Sequence, residues 1–293
     1  MSQFHLLRTR RFAPFFVTQF LGAFNDNLFK NALIVLLTYQ AASWTSLSAG
    51  LLANLAAGIF ILPFFLFSAT AGQLADKYDK ARITRLVKLL EVAIMAVVAL
   101  GFVLRSLPVL FFALFLLGVH STLFGPVKYA ILPQHLHKDE LIGGNALVES
   151  GTFVAILLGT LAGGLLAGVG GFSPLAISLA GFTVALLGYF ASRSIPAAPA
   201  PAPQLRIGLN PFAETWRNLA MARRERSVFV AILAISWFWL YGALFLAQFP
   251  AYARDVLGGD ERTVTLLLAT FTLGIGAGSL LCELLSARRL EPG

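Results

Sequence analysis

The first apolar run of the chain, residues 14–39, carries a short strip of polar side chains near its middle. Asp26 and Lys30 are the only formal charges in this run. Because residues four apart share one face of a helix, Asp26 and Lys30 are expected to neutralise each other, with Asn27 and Asn31 as a second pair beside them. A charge deep in a bilayer is costly, so the strip is expected to face protein or a water-filled cavity and to bind a polar ligand. A purely structural ion pair is the competing interpretation.

Three more polar side chains lie near the ends of later apolar runs. Lys128 follows Gly125 and Pro126, which are expected to break or kink the fourth span and to let Lys128 turn inward. Asn145 and Glu149 are four residues apart at the start of the fifth span and therefore share a face. The alternatives are that Lys128 extends to the head-group level and that Glu149 pairs with a basic loop residue.

Two other patterns have a structural interpretation. Lys88 and Glu91 are three residues apart at the start of the third span and are expected to form a local pair near the surface. The fifth span has two Gly-x-x-x-Gly spacings, which permit close packing of neighbouring helices. The glycines concerned are Gly159, Gly163, Gly164 and Gly168.

Several kinds of chemistry are excluded by the residues present. The single cysteine, Cys282, excludes an internal disulfide and a cysteine-cluster metal site. Acyl transfer would need a His-(x)4-Asp pair, but His120 is followed at that distance by Gly125 and His135 by Glu140. A phosphate-binding Walker loop is also absent from the sequence. We therefore expect neither enzymatic activity, nor a cofactor, nor a metal.

The composition is that of a polytopic membrane protein. Of the 293 residues, 58% are hydrophobic and 12% are charged, about half the charged fraction that is usual in a soluble domain. Apolar runs of about 20 residues, long enough to cross a bilayer as a helix, recur along the whole chain. The fold class predicted is therefore an all-α helix bundle with about eight membrane spans. They are residues 13–39, 47–71, 84–105, 107–127, 145–168, 172–191, 227–252 and 262–285.

The basic residues alternate between the loops. Assigned by side, eighteen of the 22 lysines and arginines fall on one side of the membrane, three on the other, and Lys30 within it. Since cytoplasmic loops are enriched in lysine and arginine, the N-terminus is expected in the cytoplasm. The charges are dispersed over loops and are not gathered with aromatic residues, so nucleic acid is not an expected partner.

Three regions are expected along the chain. Residues 1–191 form a six-span half, residues 192–226 a cytoplasmic linker, and residues 227–293 the first two spans of a second half. The linker starts with a Pro/Ala-rich extended segment and continues, from Asn210 to Arg226, as an amphipathic helix that lies on the inner membrane surface or is solvated. Six spans, a long loop and a restart is the layout of a two-fold repeated transporter. A second half of two spans suggests a truncated chain.

The loop between the second and third spans carries a motif, GQLADKYDKAR, at residues 72–82. It resembles the Gly-x-Leu-Ala-Asp-Arg-x-Gly-Arg-Arg loop of the major facilitator superfamily, with Asp79 in place of the second glycine. Gly72 is expected to allow close helix approach, and Asp76 to cap the next helix and to contact a basic residue across a cytoplasmic gate. The resemblance implies a gating role for the loop. The residues are Gly72, Leu74, Asp76, Lys77, Lys80 and Arg82.

Three further segments narrow the resemblance. They are residues 22–30 (GAFNDNLFK), 125–133 (GPVKYAILP) and 145–152 (NALVESGT). Together they resemble the bacterial lysophospholipid transporters of that superfamily, a type often fused to an acyltransferase and an acyl-carrier-protein ligase. The resemblance implies twelve spans and functional roles for the positions of Asp26, Lys128 and Glu149.

The resemblance implies a secondary transporter, which moves lysophospholipids from the outer to the inner leaflet of the bacterial inner membrane for reacylation. Lys30 and Lys128 would attract the phosphate, while Asp26 and Glu149 would attract an ammonium group or balance the lysines. Asn27 and Asn145 complete the predicted substrate site. The alternatives are a proton-coupled exporter of drugs or small metabolites and the membrane domain of a fused acyl-transfer enzyme.

Overall fold

The computed structural model describes residues 3–39, 44–168, 173–208, 210–259 and 261–285. All regular secondary structure in these ranges is helical, which confirms the predicted all-α class. Besides two short 3-10 helices, Gln3–Arg8 and Lys138–Glu140, the α-helices are α1 (Ala13–Tyr39), α2 (Ala49–Lys77), α3 (Lys80–Val103), α4 (Leu107–Ala130), α5 (Leu132–His135), α6 (Leu141–Gly168), α7 (Pro174–Arg193), α8 (Pro211–Ala222), α9 (Arg226–Asp255) and α10 (Glu261–Leu285).

The eight predicted spans correspond to the eight long helices of the described ranges, α1–α4, α6, α7, α9 and α10. Five of them, α2, α3, α4, α6 and α7, are long and apolar enough to cross a membrane by length and composition alone. The predicted range of α1 agrees with its helix, whereas α2 continues to Lys77 and α4 to Ala130. The molecule is therefore a multi-pass membrane protein.

Helix α4 does not break where the sequence suggested it would. It runs continuously through Gly125 and Pro126 and ends only at Ala130. A side chain at Gly125 would meet open space, so this glycine does not mark a close contact. The expected break is wrong, whereas a kink stays a prediction; Lys128 reaches its partners from within α4.

Helix α1 lies at the centre of the first six long helices. It packs against α6 along most of its length and also contacts α7, α2 and α4. The main apolar core surrounds its second half, where Phe29, Leu33 and Leu36 are buried against residues of α3 and α4. Polar side chains on α1 are consequently directed towards other helices, which determines where the candidate site lies.

Glycines bring α6 close to α1. A Cβ atom at Gly159 would collide with the carbonyl oxygen of Phe24, and one at Gly163 with that of Leu28. At Gly164 the nearest neighbour is the amide of Asn31, at 3.2 Å. The backbones of the two helices therefore touch, as the Gly-x-x-x-Gly spacing of the fifth span led us to expect. Gly168 is the last residue of α6.

The Pro/Ala-rich segment after α7 is extended but is not a free linker. We call residues 194–205 the strap. Ile195 and Ala198 of the strap are buried in a second apolar core that also contains Phe12, Leu132 and Leu147. The strap is thus held against the end of the bundle that carries the N-terminus.

Helix α8 follows the strap. The side chain of Asn210 caps it by accepting hydrogen bonds from the amides of Phe212 and Ala213, each at 3.1 Å. Phe212 and Trp216 are two-thirds exposed. The predicted position of this helix on the membrane surface stays a prediction, as do the boundaries of the three regions.

Candidate functional site

Six polar side chains from α1, α3 and α4 meet inside the bundle. We call them the central polar cluster. Its members are Asn25, Asp26, Lys88, Glu91, His120 and Ser121. Only Asp26 was predicted as a site residue, so five of the six were missed by the sequence analysis.

Glu91 is the fully buried acid of the central polar cluster. The amide of Asn25 donates a hydrogen bond of 2.7 Å to its Oε1 atom, and Lys88 forms an ion pair with Oε2. The Nε2 atom of His120 lies 3.3 Å from the same Oε2. Glu91 thus joins α1, α3 and α4 through a single carboxylate.

The predicted surface position of Lys88 and Glu91 is wrong. Their side chains are 1% and 0% exposed. Helix α3 begins at Lys80, which puts Lys88 about 12 Å inside the helix at 1.5 Å per residue. Gly22 and Gly188 make room for this lysine, since a Cβ at Gly188 would lie 2.7 Å from its Cε and one at Gly22 3.1 Å from its Nζ.

Asp26 is the second acid of the central polar cluster and is 13% exposed. Ser121 Oγ donates a hydrogen bond of 2.5 Å to its Oδ2, and His120 Nδ1 lies 3.8 Å from its Oδ1. These partners hold the carboxylate against α4. The remaining exposure leaves Asp26 the member of this buried acid pair that a ligand can reach.

Lys30 does not pair with Asp26, so the predicted neutralisation within α1 is wrong. The Lys30 ammonium lies over the ring of Phe60 on α2, 5.0 Å from the ring centre. Among the described residues, Asp26 and Lys30 are not within ion-pair distance of each other, and Lys30 has no acidic partner. The physical reason is that α4 supplies better partners for the carboxylate and α2 supplies an aromatic face for the cation.

The two asparagines of the strip are used differently. Asn27 donates to the Ala23 carbonyl of its own helix at 2.8 Å, and Asn31 donates to the Thr160 carbonyl of α6 at 2.8 Å. The strip is therefore divided between three neighbouring helices and is not one continuous polar face.

A second polar group, the Lys128 cluster, lies two helical turns further along α4. It consists of Gln19, Lys128, Tyr129, Glu149 and Thr152. Lys128 Nζ donates to Thr152 Oγ1 at 2.7 Å and lies 3.6 Å from Glu149 Oε1. Tyr129 donates its hydroxyl proton to Glu149, and Thr152 donates to Gln19 Oε1 at 2.9 Å. The structure thus brings the predicted residues Lys128 and Glu149 together.

Asn145 does not join this cluster. Its amide donates to the Leu141 carbonyl of α6 at 2.8 Å, one turn before Glu149. The side chain stabilises the first turn of its own helix, and its predicted place in the substrate site remains a prediction.

The α2–α3 loop is arranged differently from the prediction. Gly72 faces open space, so it does not serve close helix packing. Asp79, not Asp76, caps α3 by accepting a hydrogen bond of 2.8 Å from the Arg82 amide. Lys80 is 2% exposed, with its ammonium group buried.

The same loop holds the strap. The Ala198 amide donates to Asp79 Oδ2 and the Lys80 amide donates to the Ala198 carbonyl, both at 2.9 Å. The Ala202 amide donates to the backbone carbonyl of Asp76, also at 2.9 Å. Asp79, which the family comparison treated as a departure from the motif, therefore has two structural roles. Lys77 lies over the neighbouring Tyr78 ring.

Replacing Asp79 with alanine is expected to lower the free energy of unfolding by about 1 kcal/mol, because α3 loses its cap and the strap loses a hydrogen bond. The measurement is thermal unfolding of the purified protein in detergent. Asp76→Ala is the matched control, since the Asp76 side chain is exposed. Equal losses in the two variants would contradict the assignment of the cap to Asp79.

An apolar cavity of about 380 Å³ adjoins this loop between α2, α3 and α4. Leu74, Leu86, Leu90 and Leu123 line it, together with Arg82. Leu86 is more than half exposed, so the cavity opens on the outer side of α3. A cavity with this mostly apolar lining fits an acyl chain better than it fits a polar solute.

Two contacts close the end of the bundle that carries the N-terminus. Arg11 donates two hydrogen bonds of 2.5 Å to Glu140, which raise the pKa of Arg11 above its ordinary value. Ser150 Oγ of α6 donates to the Gly276 carbonyl of α10 at 2.9 Å. The first six long helices therefore contact the second set directly.

Comparison with known proteins agrees with this architecture. The sequence profile of the Major Facilitator Superfamily matches residues 15–292. The lysophospholipid transporter LplT of Enterobacter sp. (strain 638) is 30% identical over 280 residues, which cover 94% of this chain and 67% of that protein. LplT of Serratia proteamaculans (strain 568) is 29% identical over 98% of the chain and 70% of its own length. LplT of Pectobacterium carotovorum is 30% identical over 98% of the chain and 68% of its own length.

The matches extend over nearly the whole chain. The chain therefore belongs to the Major Facilitator Superfamily, and within it to the family of these lysophospholipid transporters.

Proposed function

We propose that this protein moves lysophospholipids from the outer to the inner leaflet of the bacterial inner membrane, where they are reacylated. The observation that carries the proposal is the state of Lys30. Its ammonium group lies within the bundle against Phe60 and has no acidic partner among the described residues. An uncompensated cation at this depth is costly and is stabilised by an anionic ligand. The phosphate of a phospholipid head group supplies that anion.

The second half of the head group has a matching partner. Asp26 lies one helical turn before Lys30, and 13% of its side chain is exposed. A zwitterionic head group, with a phosphate and an ammonium group, presents opposite charges at a short fixed separation. Because Asp26 and Lys30 do not neutralise each other, both charges are available to such a ligand.

The Lys128 cluster provides a second position along the path. Lys128 and Glu149 already form a pair, so a head group binds there only by exchanging partners with Glu149, Tyr129 or Thr152. We infer that this cluster receives the phosphate after Lys30, on the side that carries the N-terminus. Asn27 and Asn145 donate hydrogen bonds to carbonyl groups of their own helices, so they contribute less to binding of the head group than the charged residues do.

The acyl chain needs an apolar path beside these charges. The cavity lined by Leu74, Leu86 and Leu123 supplies a surface of this kind. The lipid tail would occupy this cavity or the surrounding bilayer while the head group crosses the polar clusters. The two sets of helices would rock about the site to alternate its access.

The proposal is tested by transport in vesicles. Purified protein is reconstituted in liposomes, and radiolabelled lysophosphatidylethanolamine is added outside. Albumin extracts lipid that remains in the outer leaflet, so lipid that resists extraction has crossed. Protein-containing vesicles are expected to protect the label faster than protein-free vesicles. Equal rates in the two preparations would contradict the proposed function.

Orientation is proposed from the distribution of basic residues, with the N-terminus in the cytoplasm. Lys88 and Lys128 lie within the bundle and drop out of that distribution, but the remaining loop residues keep the same bias. An acyltransferase and acyl-carrier-protein ligase, fused or associated, would act on the imported lipid at this side.

Labelling in whole cells checks this orientation. A cysteine replacing Lys138, in a Cys282→Ser background, is expected to be protected from a membrane-impermeant thiol reagent until the cells are permeabilised. A cysteine replacing Arg105 is expected to react from outside. Both positions have exposed side chains, unlike the buried Lys80. The reverse pattern would place the N-terminus outside.

A further inference from the structure

Part of the central polar cluster is not used by the proposed head-group site. Lys88, Glu91 and His120 are the buried members, with side chains 1%, 0% and 3% exposed. They are buried more deeply than Asp26, whose side chain is 13% exposed. We therefore ask how these three residues affect the charge of Asp26.

The charges of the cluster do not balance. Lys88 is paired with Glu91, and Asp26 then has no charged partner within ion-pair distance unless His120 is protonated. A net charge buried in a membrane protein is strongly unfavourable. Uptake of a single proton makes the cluster neutral.

His120 is placed to hold that proton. Its Nδ1 faces Asp26 Oδ1 at 3.8 Å and its Nε2 faces Glu91 Oε2 at 3.3 Å. A neutral imidazole donates one hydrogen bond only, whereas an imidazolium donates from both nitrogens. Both ring nitrogens and Asp26 Oδ1 are buried without a hydrogen-bond partner in the described part of the chain, while Glu91 Oε2 has Lys88 as its ion-pair partner. Protonation of the ring places an N–H group opposite each carboxylate.

Among the described residues, His120 is the one ionisable side chain of opposite charge type within ion-pair distance of Asp26. On α2, no ionisable residue occurs from Ala49 to Ala75. Helix α7 presents Gly181 and Gly188 to the cluster. On α1 the next charge is Lys30, which is turned towards Phe60, and on α4 it is Lys128, which is paired with Glu149.

We propose that the central polar cluster is a proton-binding site in which His120 holds one proton between Asp26 and Glu91. The proposal also rests on the proposed function in one respect. When the ammonium group of a lysophospholipid binds Asp26, it supplies the missing positive charge, and the proton leaves His120 for bulk water. Binding of a zwitterionic head group is therefore accompanied by release of one proton.

The test begins without lipid. The full chain has four histidines, so protein with ¹⁵N-labelled histidine in detergent micelles gives a small set of ring signals. At about pH 7.5, where an exposed histidine is mostly neutral, one ring is expected to carry protons on both nitrogens. This signal should be missing in His120→Gln and present in His5→Gln, which changes an exposed histidine. A neutral His120 in the wild type would overturn the proposal.

A second variant keeps the histidine and removes the anion. In Asp26→Asn the cluster is neutral without the extra proton, so the doubly protonated signal is expected to disappear at the same pH. A merely structural polar cluster does not predict this change. If the signal persists in Asp26→Asn, the charge of Asp26 is not what keeps the His120 ring doubly protonated, and the proposal fails.

Lipid is then added to the labelled wild type, with binding measured separately. Lysophosphatidylethanolamine is expected to abolish the doubly protonated signal, whereas lysophosphatidic acid, which lacks the ammonium group, should leave it. Binding of lysophosphatidylethanolamine without loss of the signal overturns the exchange. If lysophosphatidylethanolamine does not bind, the proposed function is contradicted. The measurement without lipid still shows whether His120 holds the proton.

Discussion

Lysophosphatidylethanolamine transport is expected to fall roughly 10- to 100-fold when Lys30 is replaced by methionine. A hydrogen bond to a charged group contributes roughly 1.5–3 kcal/mol, and each 1.4 kcal/mol corresponds to about a factor of ten. Lys30→Arg retains the cation and should recover much of the rate. The measurement is the initial rate of protection from albumin extraction in vesicles with matched amounts of protein.

Stability separates this role from a structural one. Lys30 has no acidic partner among the described residues, so Lys30→Met removes an unfavourable buried charge and should not lower the thermal unfolding temperature. Lys138→Met, at an exposed position, controls for the loss of a positive charge elsewhere. A stable Lys30→Met protein that transports at the wild-type rate would contradict the head-group site.

The largest effect on stability is expected at the contact between α1 and α6. In Gly163→Leu the new side chain would collide with the backbone of Leu28 and Ala32, and backbone atoms cannot rotate away as a side chain can. Overpacking of this kind costs about 1–3 kcal/mol and occasionally more. We expect a clear fall in the thermal unfolding temperature and in the yield of folded protein.

Gly58→Leu is the matched control for this substitution. Gly58 lies on α2, and a side chain there meets open space. The same change in size and hydrophobicity should therefore leave unfolding unchanged. Equal destabilisation at Gly58 and Gly163 would mean that α1 and α6 are not in backbone contact.

The positions of the long helices could be predicted because each depends on local properties of the chain. An apolar run of about 20 residues determines a span, and the spacing of Gly159 and Gly163 indicates a close helix contact without identifying the partner. The extended character of the strap follows from its prolines. Its attachment to Asp79 does not, because the hydrogen bond from the Ala198 amide to the Asp79 carboxylate joins residues 119 positions apart.

The central polar cluster could not be assembled from the sequence for the same reason. Its members come from three helices, and helical periodicity gives the face of a residue but not the helix that it faces. Lys88 was expected in a local pair near the membrane surface because it lies at the start of the third span, and this concealed its burial. One signal was available: Glu91 and His120 are ionisable residues inside predicted spans, which alone marks them as candidates for function.

The error over Asp26 and Lys30 has a related cause. The four-residue spacing states that two side chains are able to meet on an isolated helix. It does not include the partners that other helices offer, here Ser121 for the carboxylate and Phe60 for the ammonium. Separation of the pair is what leaves both charges available to a ligand.

The central claim is that Lys30 recognises the phosphate of the transported lipid. The most direct measurement is the ratio of transport rates for lysophosphatidylethanolamine and for a monoacylglycerol with the same acyl chain, in wild type and in Lys30→Met. A ratio is insensitive to the amount of folded protein, so a folding defect cannot imitate the result. We expect the wild type to prefer the phosphate-bearing lipid by at least about tenfold and Lys30→Met to lose that preference. An unchanged preference in Lys30→Met would contradict the account.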